Sequence, residues 1–369
     1  MTTQAVRPWT AACAQAYWNH LNPKLNGEYE GESFRKRNLA MMCTYIDAAA
    51  RKGARLVAFP EFSLGGVYSF TAPVDKVRQY QSIKMPGPET DVLAERAVKN
   101  KIYVVACNNE DDPTLPDYFY NTAFIINPKG KIILKYRKLN VRFGCNPHDV
   151  LRDYKNPVTG QNDAFPVVET ELGRLGCMIC GDINIPEIPR VYAIKGADVI
   201  IRCDSGYGAW DMAQATLRTR ARDNKIYIVN ENWAAMLLGV EEIEPGVKIP
   251  LLDTQGGGGS CVIDYEGNVI AAARNTAPQI VTGQGSSSMS ASIDVMACRR
   301  WRETSMDGVA GIKTELYAPF YSRPIFPANK YLTEGPLSNR QDPKMKKWDA
   351  EARENLKKLA GYYSENDVK

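Results

Sequence analysis

Histidine is nearly absent from this chain: His20 and His148 are the only two among 369 residues. That scarcity nearly excludes a multi-histidine metal site and leaves His148 as the main candidate for a Cys-His pair. Its neighbours offer no recognisable partner context, so that pairing is disfavoured. Charge of one sign is not in excess either. Lys and Arg number 46 against 42 Asp and Glu, and the resulting +4 is too small and dispersed to argue for nucleic acid. No apolar run is long enough to span a membrane. The opening MTTQAVRPWTAACAQA lacks the charged-then-apolar layout of a signal peptide. Nine cysteines, an odd number spread through a long chain, read as reduced thiols, which makes the expected location cytoplasmic. Cys177-x-x-Cys180 lacks the second ligand pair that zinc would need and lies outside a thioredoxin-like pattern, so metal and redox readings are minor. No metal or cofactor is expected.

What is present is a soluble α/β composition, 44% hydrophobic and 24% charged, long enough to bury a substantial core. The chain is organised around Leu175 to Gly206. An apolar run to Cys180 has strand character, and Gly181 breaks it. Asp182 and Asn184 supply turn chemistry, and Pro186-Glu187 opens a helix that ends near Gly196. Asp198 to Cys203 is the next buried strand. In such a βαβ unit ligands bind at the carboxyl ends of strands, which is where Cys180 sits. Most buried cysteines are merely small hydrophobes. The elbow at Gly181 argues otherwise here, because it exposes the sulfur and turns backbone N–H groups toward a developing oxyanion.

Earlier in the chain, Trp9 to Tyr17 reads as a first strand. Arg35 to Lys52 is a helix with an apolar face at Leu39, Met42, Ile46 and Ala50. Leu56 to Phe59 is a short buried strand ending in Pro60-Glu61, so Glu61 also lies at a strand's carboxyl end. Pro86-Gly-Pro88 is a turn, and Thr90 to Asn100 is a helix with Thr90 as its expected N-cap. Ile102 to Cys107 is a strand. Phe119 to Ile126 and Lys131 to Tyr136 form a hairpin across Asn127 to Gly130. The basic pair Arg137-Lys138 that follows is by default solvated surface. Val141 to Asp163 is a long irregular loop, of a kind that usually serves function or acts as a lid. Trp210 to Asn224 is a helix and Ile226 to Asn230 a strand. Glycines 256–259 read as close backbone approach rather than a linker. A hairpin follows over Ser260 to Ala273, then a flexible turn at Gly283 to Ser288, then a last strand, Met289 to Val295. Beyond Ala297 the chain turns proline-rich and aromatic without periodicity until an amphipathic helix at Lys344 to Tyr362. The expected division is a domain at 1–297 and an extension at 298–369.

Glu61, Lys138 and Cys180 therefore stand out together as strand-end residues. Their contexts, Phe59-Pro-Glu61, Lys135-Tyr-Arg-Lys138 and Ile179-Cys180-Gly-Asp182 through Pro186-Glu-Ile-Pro-Arg190, resemble the nitrilase (carbon–nitrogen hydrolase) superfamily. Ala221-Arg-Asp-Asn224, Ser260 to Gly267 and Ser292-Ile-Asp294 extend the resemblance, in order, over about residues 10–300. It implies an α/β fold, an α-β-β-α sandwich of two similar halves, here with a C-terminal extension. It also implies that Cys180 is nucleophile, Glu61 general base and Lys138 the cation that stabilises a tetrahedral intermediate. A thiol needs a base or nearby cation to attack at neutral pH, and a carboxylate can serve if burial raises its pKa. Gly181-Asp182 after the cysteine, with the motif Asp182-x-Asn-x-Pro-Glu-Ile-x-Arg190, resembles aliphatic amidases and formamidases rather than true nitrilases.

The expected reaction is therefore amide hydrolysis to acid and ammonia through a Cys180 thioester, on a small-molecule amide. An alternative is an N-carbamoyl substrate whose carboxylate is bound by Arg142, Arg174 or Arg202; a non-catalytic scaffold is a third, of a different class. The chain departs from the amidase branch in lacking its second glutamate after the lysine, where Asp149 is a candidate substitute, and in carrying Phe62 where a tyrosine is usual. Gly181, Tyr68, Asp149 and Tyr207 form the expected substrate-binding set. The aromatic extension predicts a homodimer or higher even oligomer, since an exposed apolar surface of that size generally marks an interface.

Overall fold

The computed structural model describes residues 6–16, 18–19, 31–66, 73–115, 118–141, 144–206, 210–234, 236–253, 257–273, 279–281, 292–306, 308–339 and 341–360. The first half runs β1 (Trp9–Gln15), β2 (Trp18–Asn19), α1 (Gly31–Arg51), β3 (Leu56–Ala58), α2 (Val74–Gln81), α3 (Pro88–Asn100), β4 (Tyr103–Glu110), β5 (Tyr120–Ile126) and β6 (Ile132–Arg137). The second runs β7 (Val168–Thr170), β8 (Gly173–Ile179), α4 (Glu187–Ile194), β9 (Val199–Cys203), α5 (Trp210–Asn224), β10 (Tyr227–Glu231), β11 (Met236–Glu244), β12 (Val247–Asp253), β13 (Cys261–Ile263) and β14 (Val269–Ala272). Two short strands, β15 (Gln279–Val281) and β16 (Ser292–Ile293), return to the first sheet and pair antiparallel with β1.

Each half builds one large sheet, and β2 pairs parallel with β11 in a separate three-stranded sheet completed by β12. In the first, β1, β3 and β4 are parallel and β5 and β6 continue antiparallel. In the second, β8, β9 and β10 are parallel, with β13 and β14 continuing antiparallel and β7 on the other edge. Alternation of side chains along the strands explains how the sheets stack. Ala11, Cys13, Leu56, Ala58, Val105 and Cys107 enter a core shared with Leu175, Cys177, Ile179 and Ile201 of the other sheet. Their neighbours Ala12, Ala14, Val57, Val104 and Ala106 face outward against Met42, Ile46, Leu93 and Ala97 of α1 and α3. On the far side α4 and α5 cover the second sheet. This is the α-β-β-α sandwich expected from the sequence.

Several local expectations need correction. The helix expected to start at Thr90 begins at Pro88. Thr90 sits one turn in, and its hydroxyl accepts from the Gly87 N–H at 2.8 Å, so it closes the helix start from inside. The last strand stops at Ile293, because Asp294 accepts from the Ala297 N–H at 2.9 Å and so caps a helix, α6 (Val295–Thr304). The expected boundary between residues 297 and 298 therefore falls within one helix. The Arg137-Lys138 pair is not solvated surface. Arg137 is buried between Glu110 and Asp112, at 3.0 Å from Glu110 Oε2, and its guanidinium lies 3.8 Å from the Tyr120 ring centroid. A buried guanidinium needs such partners to offset its desolvation. The turn at Gly283 to Ser288 lies outside the described residues.

The C-terminal segment continues as α7 (Thr314–Tyr321), α8 (Lys330–Glu334) and α9 (Pro343–Ala360). Its distal part docks on the irregular 144–163 loop. Tyr331 and Trp348 are buried with Tyr120, Cys145, Val150 and Tyr154, and the Tyr331 hydroxyl donates to the Gly144 carbonyl at 2.8 Å. Asn329 donates its N–H to the His148 carbonyl at 2.9 Å and accepts from the Arg152 N–H at 2.7 Å. The loop is thus held in place from outside. The proximal part is different: on α7 Leu316, Phe320 and Tyr321 are 66%, 75% and 69% exposed.

Candidate active site

Three strand ends meet where the two sheets face each other. Glu61 follows β3, Lys138 follows β6 and Cys180 follows β8, and all three side chains converge. Lys138 Nζ donates to Glu61 Oε1 at 2.8 Å, and Asn121 Nδ2 of β5 donates to the same oxygen. The Ser205 hydroxyl, just past β9, donates to Glu61 Oε2 and lies 4.0 Å from the Cys180 sulfur. Register brings Asn121 here: β5 and β6 pair with Thr122 opposite Arg137, and the Lys138 N–H donates to the Asn121 carbonyl at 2.9 Å.

The elbow at Cys180 is a strained turn. Its φ is +46°, in the left-handed region that non-glycine residues enter at a cost of about 1–3 kcal/mol. Asp182 holds it there. Fully buried, it accepts from the Ile179 N–H at 3.1 Å, the Asn140 N–H at 2.8 Å and the Tyr136 hydroxyl at 2.7 Å. One carboxylate thereby ties the exit of β8 to the loop after Lys138. Asn140 Nδ2 donates to the Gly181 carbonyl at 3.0 Å, and Arg202 Nε donates to the Cys180 carbonyl at 2.9 Å. The sequence offered Asp182 as turn chemistry; its link to Lys138's loop depends on tertiary packing.

The electrostatics give a resting state of anion, cation and neutral thiol. Burial pushes the Cys180 thiol up to about 12, and the Glu61 charge adds to that against the opposing pull of Lys138. Burial also works to raise Glu61, but the Lys138 charge and the hydrogen bonds from Lys138, Ser205 and Asn121 outweigh it and leave the carboxyl below its ordinary value. The sequence expectation that burial would raise this carboxyl is thus reversed by the donors gathered on it. Lys138 is raised: desolvation opposes its charge, but Cys180, Glu61 and Asp182 prevail.

The other candidates lie elsewhere or are already engaged. Asn146 caps a short 3₁₀ turn, and Asp149 inside it reaches back, accepting from Asn146 N and Nδ2 at 3.1 and 2.8 Å. Burial pushes its carboxyl up to about 7. His148 packs its ring against Phe326, with centroids 6.2 Å apart. Arg202 is committed to Asp204 and Asn230, and Arg174 donates to the Lys195 carbonyl at 2.8 Å. Tyr68, Arg142 and Tyr207 lie outside the described residues. Cys177 is a buried thiol of the shared core. Among the described residues no group of three His, Cys, Asp or Glu side chains is placed to hold a metal ion. Two further residues of the site, Ser205 and Asn121, are not among the sequence candidates. Ser205 follows a strand end by the same rule that singled out Glu61 and Cys180; Asn121 lies inside a strand and carried no local signal.

Glu61, Lys138 and Cys180 thus come together at strand ends between the two sheets of a four-layer sandwich. Residues 10–302 match the family model described as carbon-nitrogen hydrolase, and the chain belongs to that family. Its relatives place it in the amidase-like branch of the nitrilase superfamily, and it is a hydrolase acting on C–N bonds. It is 29% identical to an omega-amidase NIT2-B of Xenopus laevis over 203 residues, 53% of this chain and 69% of the relative. A formamidase of Bacillus cereus is 36% identical over 185 residues, covering 49% of this chain and 51% of the relative. Among solved structures, an amidase from Nesterenkonia sp. aligns with TM-score 0.57 at 17% identity, over 87% of this chain and 100% of its own. Saccharomyces cerevisiae Nit3 aligns with TM-score 0.57 at 22% identity, over 81% and 96%. These two likenesses bear on the fold alone.

Proposed function

We propose that the chain hydrolyses a small amide to its acid and ammonia through a thioester on Cys180. The observation that carries this reading is the Glu61–Lys138 pair at 2.8 Å, buried beside a strained cysteine elbow. Cys180 attacks the amide carbonyl while its proton passes to Glu61. The developing oxyanion is met by Lys138 Nζ and the Gly181 N–H. As Lys138 turns part of its charge to the oxyanion, its hold on Glu61 weakens, so the carboxylate becomes more basic as the proton arrives. Glu61 then protonates the amide nitrogen, which leaves as ammonia when the C–N bond breaks, and the same residues activate water against the thioester.

Of the arginines that could bind the carboxylate of an N-carbamoyl acid, Arg202 and Arg174 already spend their guanidinium groups within the protein, which favours the amide reading; Arg142 lies outside the described residues. The names of the relatives, omega-amidase and formamidase, favour small amides. The exposed face of α7 supports assembly with a second copy of the chain, and nine unbridged thiols support a reducing, cytoplasmic setting. Ammonia release over a panel of formamide, short aliphatic amides, aryl amides and carbamoyl amino acids tests the activity. Cys180→Ala is expected to abolish release with the fold intact; retained turnover, or an acyl adduct mapped by mass spectrometry to Cys177, would refute the assignment.

A further inference from the structure

Among the described residues, Glu61 receives three side-chain donors, and none of them is Cys180. Lys138 and Asn121 occupy Oε1, and the Ser205 hydroxyl occupies Oε2. Among the described residues, the hydrogen-bond contact at the Cys180 sulfur is Ser205 Oγ, at 4.0 Å. A hydroxyl has one proton to give. Ser205 Oγ is within donor reach of both Glu61 Oε2 and Cys180 Sγ, and with its one proton on Glu61 it keeps oxygen lone pairs with which to accept from the thiol. The separation is long for a thiol contact, as catalytic hydrogen bonds often are before substrate closes the site.

We propose that Ser205 relays the proton between Cys180 and Glu61. The inference rests on the thiol-hydrolase reading above. As the sulfur bonds to the carbonyl carbon, the S–H bond breaks and its proton joins Ser205 Oγ. The original Ser205 proton moves to Glu61 Oε2, so the serine ends unchanged and the carboxyl neutral. The path reverses when the amine leaves: Glu61 returns its proton to Ser205, which passes one to the nitrogen as the C–N bond breaks. Ser205 is anchored for this. Its N–H is held at 3.0 Å by Asp204 Oδ1, while Asp204 Oδ2 is clamped by Arg202 at 2.6 Å.

The test compares wild type, Ser205→Ala and Ser205→Thr in two assays. The first is alkylation of Cys180 by iodoacetamide across pH, which needs no substrate. The second is formamide hydrolysis in mixtures of light and heavy water. Ionisable groups that shape the pH response are Glu61, Lys138, Asp204 and Arg202 around Cys180, with Asp182 behind Lys138. Ser205→Ala is expected to slow alkylation at pH 7 and to lower kcat/KM about 100-fold, with Ser205→Thr recovering most of both. The acidic limb of kcat/KM should move to higher pH in the alanine variant, since Glu61 loses a donor. Wild type should show a bowed proton inventory, from two protons in flight, that becomes linear in Ser205→Ala. Equal alkylation rates in wild type and Ser205→Ala, or a linear inventory in wild type, would overturn the relay. Serine-dependent alkylation without turnover of any amide would instead remove the hydrolase reading and leave the relay standing. The wild-type inventory needs no variant, so a Ser205→Ala chain that fails to fold does not protect the proposal.

Discussion

Asp149 carries a buried carboxyl whose partners are both neutral amide donors from Asn146, and among the described residues no ion pair reaches it. Burial holds its pKa at about 7 in the folded chain, against about 3.9 in an unfolded one. The folded state therefore keeps its proton longer. Stability from this group is fully present below about pH 4, falls by about 1.4 kcal/mol per unit as the unfolded chain ionises first, and levels off above about pH 7. Asp149→Asn keeps the shape and an oxygen to accept both Asn146 donors, but has no charge to bury. Relative to wild type it is expected to gain about 2–3 kcal/mol between pH 5 and pH 8. Urea denaturation of both proteins at those two values measures the difference directly. A wild-type-to-variant gap that is the same at pH 5 and pH 8 would refute the reasoning. The same variant reads the catalytic expectation for this position, because retained kcat/KM would remove Asp149 from substrate positioning.

Asn121→Leu removes a charge-assisted donor from Glu61, so kcat/KM should fall about 10- to 100-fold and its acidic limb should move to higher pH in steady-state assays. Because Gly181-Asp182 follows Cys180, as in amidases rather than true nitrilases, a matched amide should show a higher kcat/KM than the corresponding nitrile; the reverse order would overturn the branch assignment. Paired Leu316→Glu and Phe320→Glu substitutions on the exposed face of α7 should yield a monomer by light scattering, with the fold retained by circular dichroism.

Much of the sandwich was legible because its strands are short apolar runs closed by glycine, proline or a charged residue. Leu56 to Ala58, Gly173 to Ile179 and Val199 to Cys203 are of this kind, and their carboxyl ends pointed to Glu61 and Cys180. What stayed hidden depended on pairing across the chain. Val74–Gln81 forms a helix with few apolar residues to mark a period, and the β11–β12 hairpin carries glutamates that interrupt its apolar pattern. Lys138 was legible only through the family resemblance, since a basic residue after a strand is ordinarily solvated. Its burial follows from Glu61, which lies 77 residues away in sequence. The donors on Glu61 explain why the expected rise of its pKa turned into a fall: burial was foreseen, but three convergent donors from three segments were not.

The placement of a buried anion beside a buried cation has a consequence for how a thiol can work here. In a cysteine–histidine enzyme, charge separation in the resting state yields a thiolate. In this site the charges are already taken by Glu61 and Lys138, and a thiolate would add a second anion beside Glu61 in a desolvated space. Burial and Glu61 therefore keep Cys180 protonated, with its pKa near 12. On the proposed path the proton leaves sulfur only as negative charge moves to the carbonyl oxygen. Glu61 becomes neutral at the moment the oxyanion forms beside Lys138, so the net charge of the Glu61, Lys138 and Cys180 groups together with the substrate is the same before and after the step. Conserving that balance spares the desolvation cost of an uncompensated charge, which in a buried site is several kcal/mol per ion, on the order of the rate enhancements that positioned groups supply. Replacing Lys138 by methionine tests the balance, since it would leave Glu61 without its cationic partner while Arg202 stays paired with Asp204. The Glu61 carboxyl should then titrate well above the ordinary range, and activity should be lost even though both the thiol and the base remain.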